Sequence, residues 1–390
     1  YSTGGHAWLA IAYSTIGKRD QAQAEVERVL KHDPTFSLEE WGGYNRQLYK
    51  DAKVVDRFLG FARNAGLPEH PPLKLPNKPS IAVLPFTNMT DDPEQEYFSD
   101  GLTDEIITTL SKSPRLFVIA RESVFSFKDK QIQIKKLSQQ LGVRYLLEGS
   151  VRKSENRLRI TAQLIDVTTG QSLWSERFER PLGEIFAIQD EITLLILRAL
   201  QVQLSEGEQA RFIGKKTVNL DAYLKAIQAQ EQFFQMNRQG SMRAKELARE
   251  SIDLDPSYAF PYTILANAHM LDVWFKFSKS PVDSMKFAAD AAEKALIIDD
   301  SDPAIYSALS NLYVMQKQYD KAISSAQQAI ELSPGGARAH ISMGYALFFS
   351  CRFEEAIPFF EQAIRLNPYP PGLYFRSLAS VYRFAGRYNE

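Results

Sequence analysis

A 34-residue step constrains this chain more than any other feature. Pro334 and Pro368 stand that far apart, and the same step relates Ala322 to Ala356, Ala329 to Ala363 and Tyr306 to His340. Small residues recur where paired helices would approach, and a proline follows the second helix of each pair. Such a period calls for stacked helical hairpins, none of which buries its apolar face alone. Upstream, Pro256 and Asp300 take the proline position 44 residues apart, so that unit carries an insertion of about ten residues around Leu271 to Pro281. A less regular unit, Asn219 to Pro256, contributes Ala244 and Ala248. The last, with Phe375, Leu378, Ala379 and Tyr382, breaks off at Glu390.

The period is that of the tetratricopeptide repeat, and residues Tyr1 to Pro34 fit the same pattern without gaps. His6, Leu9, Ala10 and Tyr13 take the first-helix packing positions, and Ala22, Val26, Val29 and Pro34 those of the second. The stretch from Ser37 to Ala65 reads as helical and closes at Gly66-Leu67-Pro68, so residues 1–67 are expected to be a repeat with capping helices. Residues 68–79 hold five prolines and predict a stiff connector. Because the chain opens at Tyr1 and starts and stops inside repeats, it reads as a piece of a larger protein.

Only residues 80–205 read as strands as well as helices. Ser80 to Pro85 and Leu116 to Ala120 are apolar on both faces, as buried parallel strands are. Between them Asp92-Pro93 offers a cap and first-turn proline, and Phe98, Leu102, Ile106 and Leu110 recur at helical spacing. Gly101 lies inside that pattern at a cost of about 1 kcal/mol, so a regular helix is expected from Ser99 or Asp100. A second helix carries Ile134, Leu137 and Leu141. The next segments alternate, Val143, Tyr145, Leu147 and Val151 and then Leu158, Ile160, Ala162 and Leu164, with turns at Ser154-Glu155-Asn156 and Thr168-Thr169-Gly170 and a last strand bearing Trp174 and Phe178. An apolar helix through Ile185, Ile192 and Ile196 closes the block. The fold class expected is an α/β mixed-sheet domain, β-α-β-α-β-β-β-α, flanked by all-α helical repeats.

The strings IAVLPFTNMTDDPEQEYFSDGLTDEIITTLS, FVIARESVFSFK, LGVRYLLEGSVRKSENRLRITAQLIDVTTGQSLWSERFER and IFAIQDEIT resemble, in order, the TolB-like domain of bacterial proteins with tetratricopeptide repeats. The resemblance implies that the domain stands between an N-terminal output domain, often a class III adenylate cyclase and sometimes a winged-helix DNA-binding domain, and a C-terminal array. Here residues 206–218 would be a linker and 219–390 that array. The segment FSLEEW to NAGLPE resembles the end of such an array yet precedes the TolB-like block. A tandem parent, a fusion or an assembly error would each account for that order.

A formal net charge of -1 gives no basic footprint for a phosphate backbone, so no nucleic-acid contact is expected. One cysteine, Cys351, excludes an internal disulfide framework and reads as a buried small hydrophobe in a reducing compartment. No apolar run approaches the roughly 20 residues of a membrane helix. Gly214-Lys215-Lys216-Thr217 lacks the glycine a phosphate loop needs five residues earlier, where Gln209 stands. No nucleophile elbow, zinc motif or cyclase aspartate pair is present, so no catalytic residue, metal or cofactor is expected.

Two binding regions are candidates. Asn88, Asp91, Arg121 and Ser123 fall near strand ends, where open α/β sheets take small ligands; helix capping by the acids and strand-end hydrogen bonding are the competing and favoured roles. In the array, the first helix of each pair lines a concave groove. By register Asn267 and Asn311 share a groove position, followed by Tyr345 and Ser380. Asparagine can hold a peptide backbone with both donor and acceptor. Arg338, Arg376 and Arg383 would add attraction for acidic groups, and Phe348 and Phe349 an apolar pocket. Trp274, Phe275 and Phe277, in the insertion, are expected to be buried by longer helices.

The function expected is a non-catalytic regulatory and protein-interaction region of a bacterial, cytoplasmic signalling protein resembling TolB-like adenylate cyclases, with a protein or peptide partner in the groove. A sensory arm of a winged-helix transcription regulator and a free-standing envelope assembly factor are the alternatives.

Overall fold

The computed structural model describes residues 2–387 apart from 70, 72, 91, 93, 131, 155, 156, 203–216 and 218. Asp91, Pro93, the turn residues Glu155 and Asn156, and Gly214-Lys215-Lys216 therefore lie outside the described residues. The chain forms two compact units, Tyr1–Leu75 and Pro76–Glu390.

The first unit holds α1 (Thr3–Thr15), α2 (Arg19–His32), α3 (Leu38–Leu48) and α4 (Ala52–Ala65). Ala7, Ala10, Val26, Val29, Leu38, Leu59 and Ala62 make its core. Ser37 and Asp51 cap α3 and α4 through their side-chain oxygens. Gly66, at φ 94°, ends α4 in the left-handed conformation that glycine adopts freely.

In the second unit, β1 (Ser80–Val83), β3 (Phe117–Val118), β4 (Tyr145–Ser154), β5 (Arg157–Asp166) and β6 (Gln171–Pro181) form a sheet of order β3-β1-β4-β5-β6. The β1–β3 and β1–β4 pairs are parallel, and β4–β5–β6 is an antiparallel meander. Helix α5 (Glu94–Ser111) crosses from β1 to β3. It lies beside α8 (Ile185–Ala199), α5 against β1, β3 and β4 and α8 against β5 and β6. The short α6 (Arg121–Phe125) and α7 (Ile134–Leu141) complete the layer structure.

Two local features differ from expectation. A two-residue strand, β2 (Thr87–Asn88), continues beside β4 after Pro85, which has no N–H to extend β1 itself. Phe86 between them is fully buried over Gly149, where a Cβ would lie 2.3 Å from its ring. And α5 is unbroken from Glu94 through Gly101: the missing side chain leaves room for Ile227, whose carbons lie 3.0 Å from where a Cβ would stand.

The repeats comprise α9 (Leu220–Phe234), α10 (Arg238–Leu254), α11 (Ala259–Trp274), α12 (Pro281–Ile298), α13 (Pro303–Met315), α14 (Tyr319–Leu332), α15 (Ala337–Phe349), α16 (Phe353–Leu366) and α17 (Gly372–Phe384). Alanines 244, 248, 322, 326, 329, 356 and 363 are buried where the helices of each pair meet. The insertion lengthens α11 and α12, but Trp274 and Phe275 stay half-exposed rather than buried, because they sit at the end of α11 and in the turn beyond it. Cys351 is likewise exposed, not buried: it occupies the α15–α16 turn at φ 64°, facing away from the packed helices.

Candidate functional site

The α/β domain and the repeats meet in a continuous seam. Ala337 and Leu366, on α15 and α16, belong to the same apolar core as the sheet. Tyr223 of α9 sets its ring 5.1 Å from Phe186, and its hydroxyl accepts from Gln189 at 3.2 Å. The turn after α16 docks on the edge of the sheet: Ala120 N donates to Leu366 O at 2.8 Å, beyond the end of β3. Ser123 Oγ, wholly buried, donates to Asn367 Oδ1 at 2.5 Å and accepts from Tyr369 N at 2.8 Å. Asn367 Nδ2 reaches Glu122 at 3.3 Å. Further along, Gly335 N donates to Ser111 O at 3.0 Å, and Arg365 donates to Gly142 O at 3.2 Å while stacking on Phe117.

Arg121 is the charged centre of the seam. Its guanidinium lies between the rings of Phe125, 3.9 Å away, and Phe234, 4.5 Å away. It pairs with Glu231 at 2.5 Å and Asp104 at 3.7 Å. Arg338 approaches Glu122 at 3.8 Å and lies over the same Phe234. Such charge-assisted, aromatic-flanked contacts suit arginine's flat cation. Burial pushes the Asp104 carboxyl above its usual range, with Arg121 and Arg338 pulling the other way.

Between α5, α9, α17 and the leading ends of α11, α13 and α15 lies a cavity of about 210 Å³. Asp104, Glu105, Arg121, Gln230, Tyr258, Asp302 and Arg338 are among its lining. Burial raises the Asp302 carboxyl and, still more, the Tyr223 and Tyr258 hydroxyls.

The residues singled out in the sequence thus fall into three places. Arg121, Ser123 and Arg338 meet in the seam, where they bind the neighbouring domain. Asn88 closes its own turn, donating to Asp92 O and accepting from Thr90 N and Oγ1. Tyr345, Phe348 and Phe349 share an aromatic cluster at the far end of the array: Trp274 lies 6.4 Å from Tyr345 and 6.1 Å from Phe349, and Phe348 lies 5.8 Å from Phe384. Arg383 covers Phe384, Arg376 is exposed, and Asn267 and Asn311 are half-buried on α11 and α13. Glu122, Glu231, Gln230, Tyr258 and Asn367 were not anticipated. The helix-interior Gly101 was the one sequence signal that something packs closely there.

Among the described residues no group of three His, Cys, Asp or Glu side chains could hold a metal ion, and no helix is long and apolar enough to cross a membrane.

A model of the second domain of HilA/YgeH-like transcriptional regulators matches residues 77–195, and tetratricopeptide-repeat models match 303–335 and 337–370. Residues 303–335 and 337–370 thus carry tetratricopeptide repeats, and residues 77–195 are similar to the second domain of HilA-like regulators. Among individual relatives, the protein named "Putative adenylate cyclase 3" of Rhizobium meliloti is 43% identical over 252 residues, which are 65% of this chain and 43% of that protein. The transcriptional regulator HilA of Salmonella typhimurium is 23% identical over 307 residues, 76% of this chain and 52% of HilA. Among solved structures, TolB from Acinetobacter baumannii aligns with 33% of this chain and 29% of its own, at 24% identity and a TM-score of 0.24. The chain thus spans about half, or less, of the curated relatives it matches.

Proposed function

We propose that this chain is a non-catalytic regulatory and interaction region of a bacterial, cytoplasmic signalling protein. In this reading the repeat array receives a protein or peptide partner and passes its binding, through the α/β domain, to an output domain elsewhere in the parent. The observation that carries it is the seam: the α/β domain and the array share one apolar core and a set of buried hydrogen bonds. Strain at one is therefore felt at the other. The seam occupies the leading ends of the first helices. The partner surface assigned here is the opposite end, with Tyr345, Phe348, Phe349 and Arg383, and, nearer the middle of the first helices, Arg376, Asn267 and Asn311. Aromatic anchors with flanking arginines are the residue types that carry binding energy at interfaces.

The 43% identity to the Rhizobium protein supports cyclic-nucleotide synthesis as the output. The match of residues 77–195 to the second domain of HilA-like regulators supports the other reading, an arm of a transcription factor. The test is removal of residues 219–390 from the parent, with cyclic AMP formation and promoter activity measured at matched protein levels. A change in one output identifies it and supports regulation; no change in either refutes the regulatory reading.

A further inference from the structure

The two edges of the sheet differ. The repeats dock beyond the end of β3 through Ala120 and Leu366, whereas β6, last in the order β3-β1-β4-β5-β6, has no strand on its outer side among the described residues. Ser175, Glu176, Arg177, Arg180 and Pro181 along it are exposed. The ladder fixes where its free backbone groups point. Leu147 O and Val151 O accept from Leu84 N and Met89 N, so the odd residues of β4 face β1 and β2 and its even residues bond β5. Carried across the β4–β5 and β5–β6 registers, that alternation turns the even residues of β6 toward β5. Ser175, Arg177 and Glu179 are left with N–H and C=O pointing outward. In keeping with this, Glu179 O accepts from a side chain, Arg180 Nη1, at 3.2 Å. Such a row of backbone groups is a template for another strand.

The side chains say which strand fits. Outward groups lie only on odd residues, so an antiparallel copy of β6 can shift only in steps of two. With Phe178 opposite itself, Arg177 meets Glu179 and Glu176 meets Arg180, each twice by symmetry, and no like charges are opposed. The neighbouring registers set Arg177 against Arg177 or Glu179 against Glu179, and the next ones Glu176 against Glu176 or Arg180 against Arg180. A like pair at the centre disfavours each of them. The bulge at Leu164/Ile165 and Pro181, which has no N–H, bound the pairable stretch at its two ends. Charges along an edge commonly ward off pairing; here they admit one register and oppose its neighbours.

We propose that β6 is a homodimerisation edge, pairing antiparallel with β6 of a second copy of this chain about a two-fold axis at Phe178 and joining the two sheets into one. Arg177 and Glu179 of each copy exchange backbone hydrogen bonds with Glu179 and Arg177 of the other. The incoming Arg177 amide takes over the Glu179 carbonyl and frees Arg180 for Glu176. This goes beyond the regulatory reading and stands whether or not an output domain is controlled.

The test is sedimentation equilibrium of the full chain over a concentration series, with residue-resolved amide exchange at both ends of the series. A monomer–dimer equilibrium is expected, in which exchange of the Arg177 and Glu179 amides slows with concentration while that of Glu176 and Phe178, already bonded to β5, does not. Glu176→Arg or Arg180→Glu alone opposes like charges twice and should weaken the dimer about tenfold or more. The two together restore opposite charges and should recover most of the affinity, a rescue that a folding defect would not show. A monomer throughout, protection of the Arg177 and Glu179 amides in a monomer, which would put a different strand on the edge, single reversals that leave the dimer unchanged, or a double variant no tighter than the singles would each overturn the proposal.

Discussion

Replacing Ser123 by alanine removes a single oxygen, yet the seam makes that oxygen serve two partners from the repeats. The side chain is wholly buried, donates to Asn367 Oδ1 and accepts from Tyr369 N. Leaving a buried donor or acceptor unpaired costs about 1–3 kcal/mol. Asn367 is wholly buried, whereas Tyr369 is 38% exposed and its N–H can turn to water. The two losses together come to about 2–4 kcal/mol, and they fall on the docking of α16 and α17 rather than on the sheet. Hydrogen exchange in the full chain reads this directly: that energy corresponds to a rise in opening of roughly 30- to 1,000-fold in amides of 364–371 and 119–125, with β4 and β5 much less affected. A serine that merely faced a ligand at a strand end would cost within about 0.5 kcal/mol. Exchange in these segments within twofold of wild type refutes the reasoning.

Gly149→Ala should destabilise the α/β domain by several kcal/mol, about 3 or more, because its Cβ would meet both the Phe86 ring and the Thr161 carbonyl at 2.4 Å; urea unfolding followed at Trp174 measures it. Lys245→Ala should cost about 3–5 kcal/mol, since Asp272, 7% exposed, keeps only Ser241 as side-chain hydrogen-bond partner among the described residues; thermal unfolding of the repeats reports it, and a loss under 1 kcal/mol would contradict a buried pair. Burial pushes the Asp166 carboxyl up, but hydrogen bonds from Arg144 and Thr168 outweigh it and hold the group at about 2. A depressed carboxylate contributes stability that is present above pH ~4 and lost as pH falls towards 2. Urea midpoints should therefore drop over that range in wild type and drop less in Asp166→Asn.

The repeats were legible because their signal is local: a 34-residue step repeats the same small residues at the same contacts. The antiparallel strands were legible for a similar reason, since Leu158, Ile160, Ala162 and Leu164 alternate inward. What the sequence did not disclose joins residues far apart along the chain. Ser123 and Asn367 are separated by 244 positions, and nothing near either one specifies the other. Strand-end hydrogen bonding was the favoured role for Arg121 and Ser123 over a ligand edge, but nothing in the sequence showed that the partners, Glu231 and Asn367, would come from the repeats. Gly101 cost its helix about 1 kcal/mol in propensity, and only the approach of Ile227 explains why α5 runs through it unbroken. Strand β2 is too short for any periodicity, and Cys351 was misjudged because a turn position overrode the usual burial of cysteine.

The most direct test of regulation through the seam is the output of the parent protein carrying Leu366→Ala. Leu366 is 1% exposed and lies in the α/β core although it belongs to α16; its truncation costs about 2–5 kcal/mol at the contact itself. Cyclic AMP formation and promoter activity would be measured against wild type at equal protein levels, with circular dichroism confirming that the helices persist. The account predicts that one of the two outputs shifts several-fold and stops responding to ligands of the repeats. Outputs equal to wild type, with the seam shown open by hydrogen exchange, would contradict it.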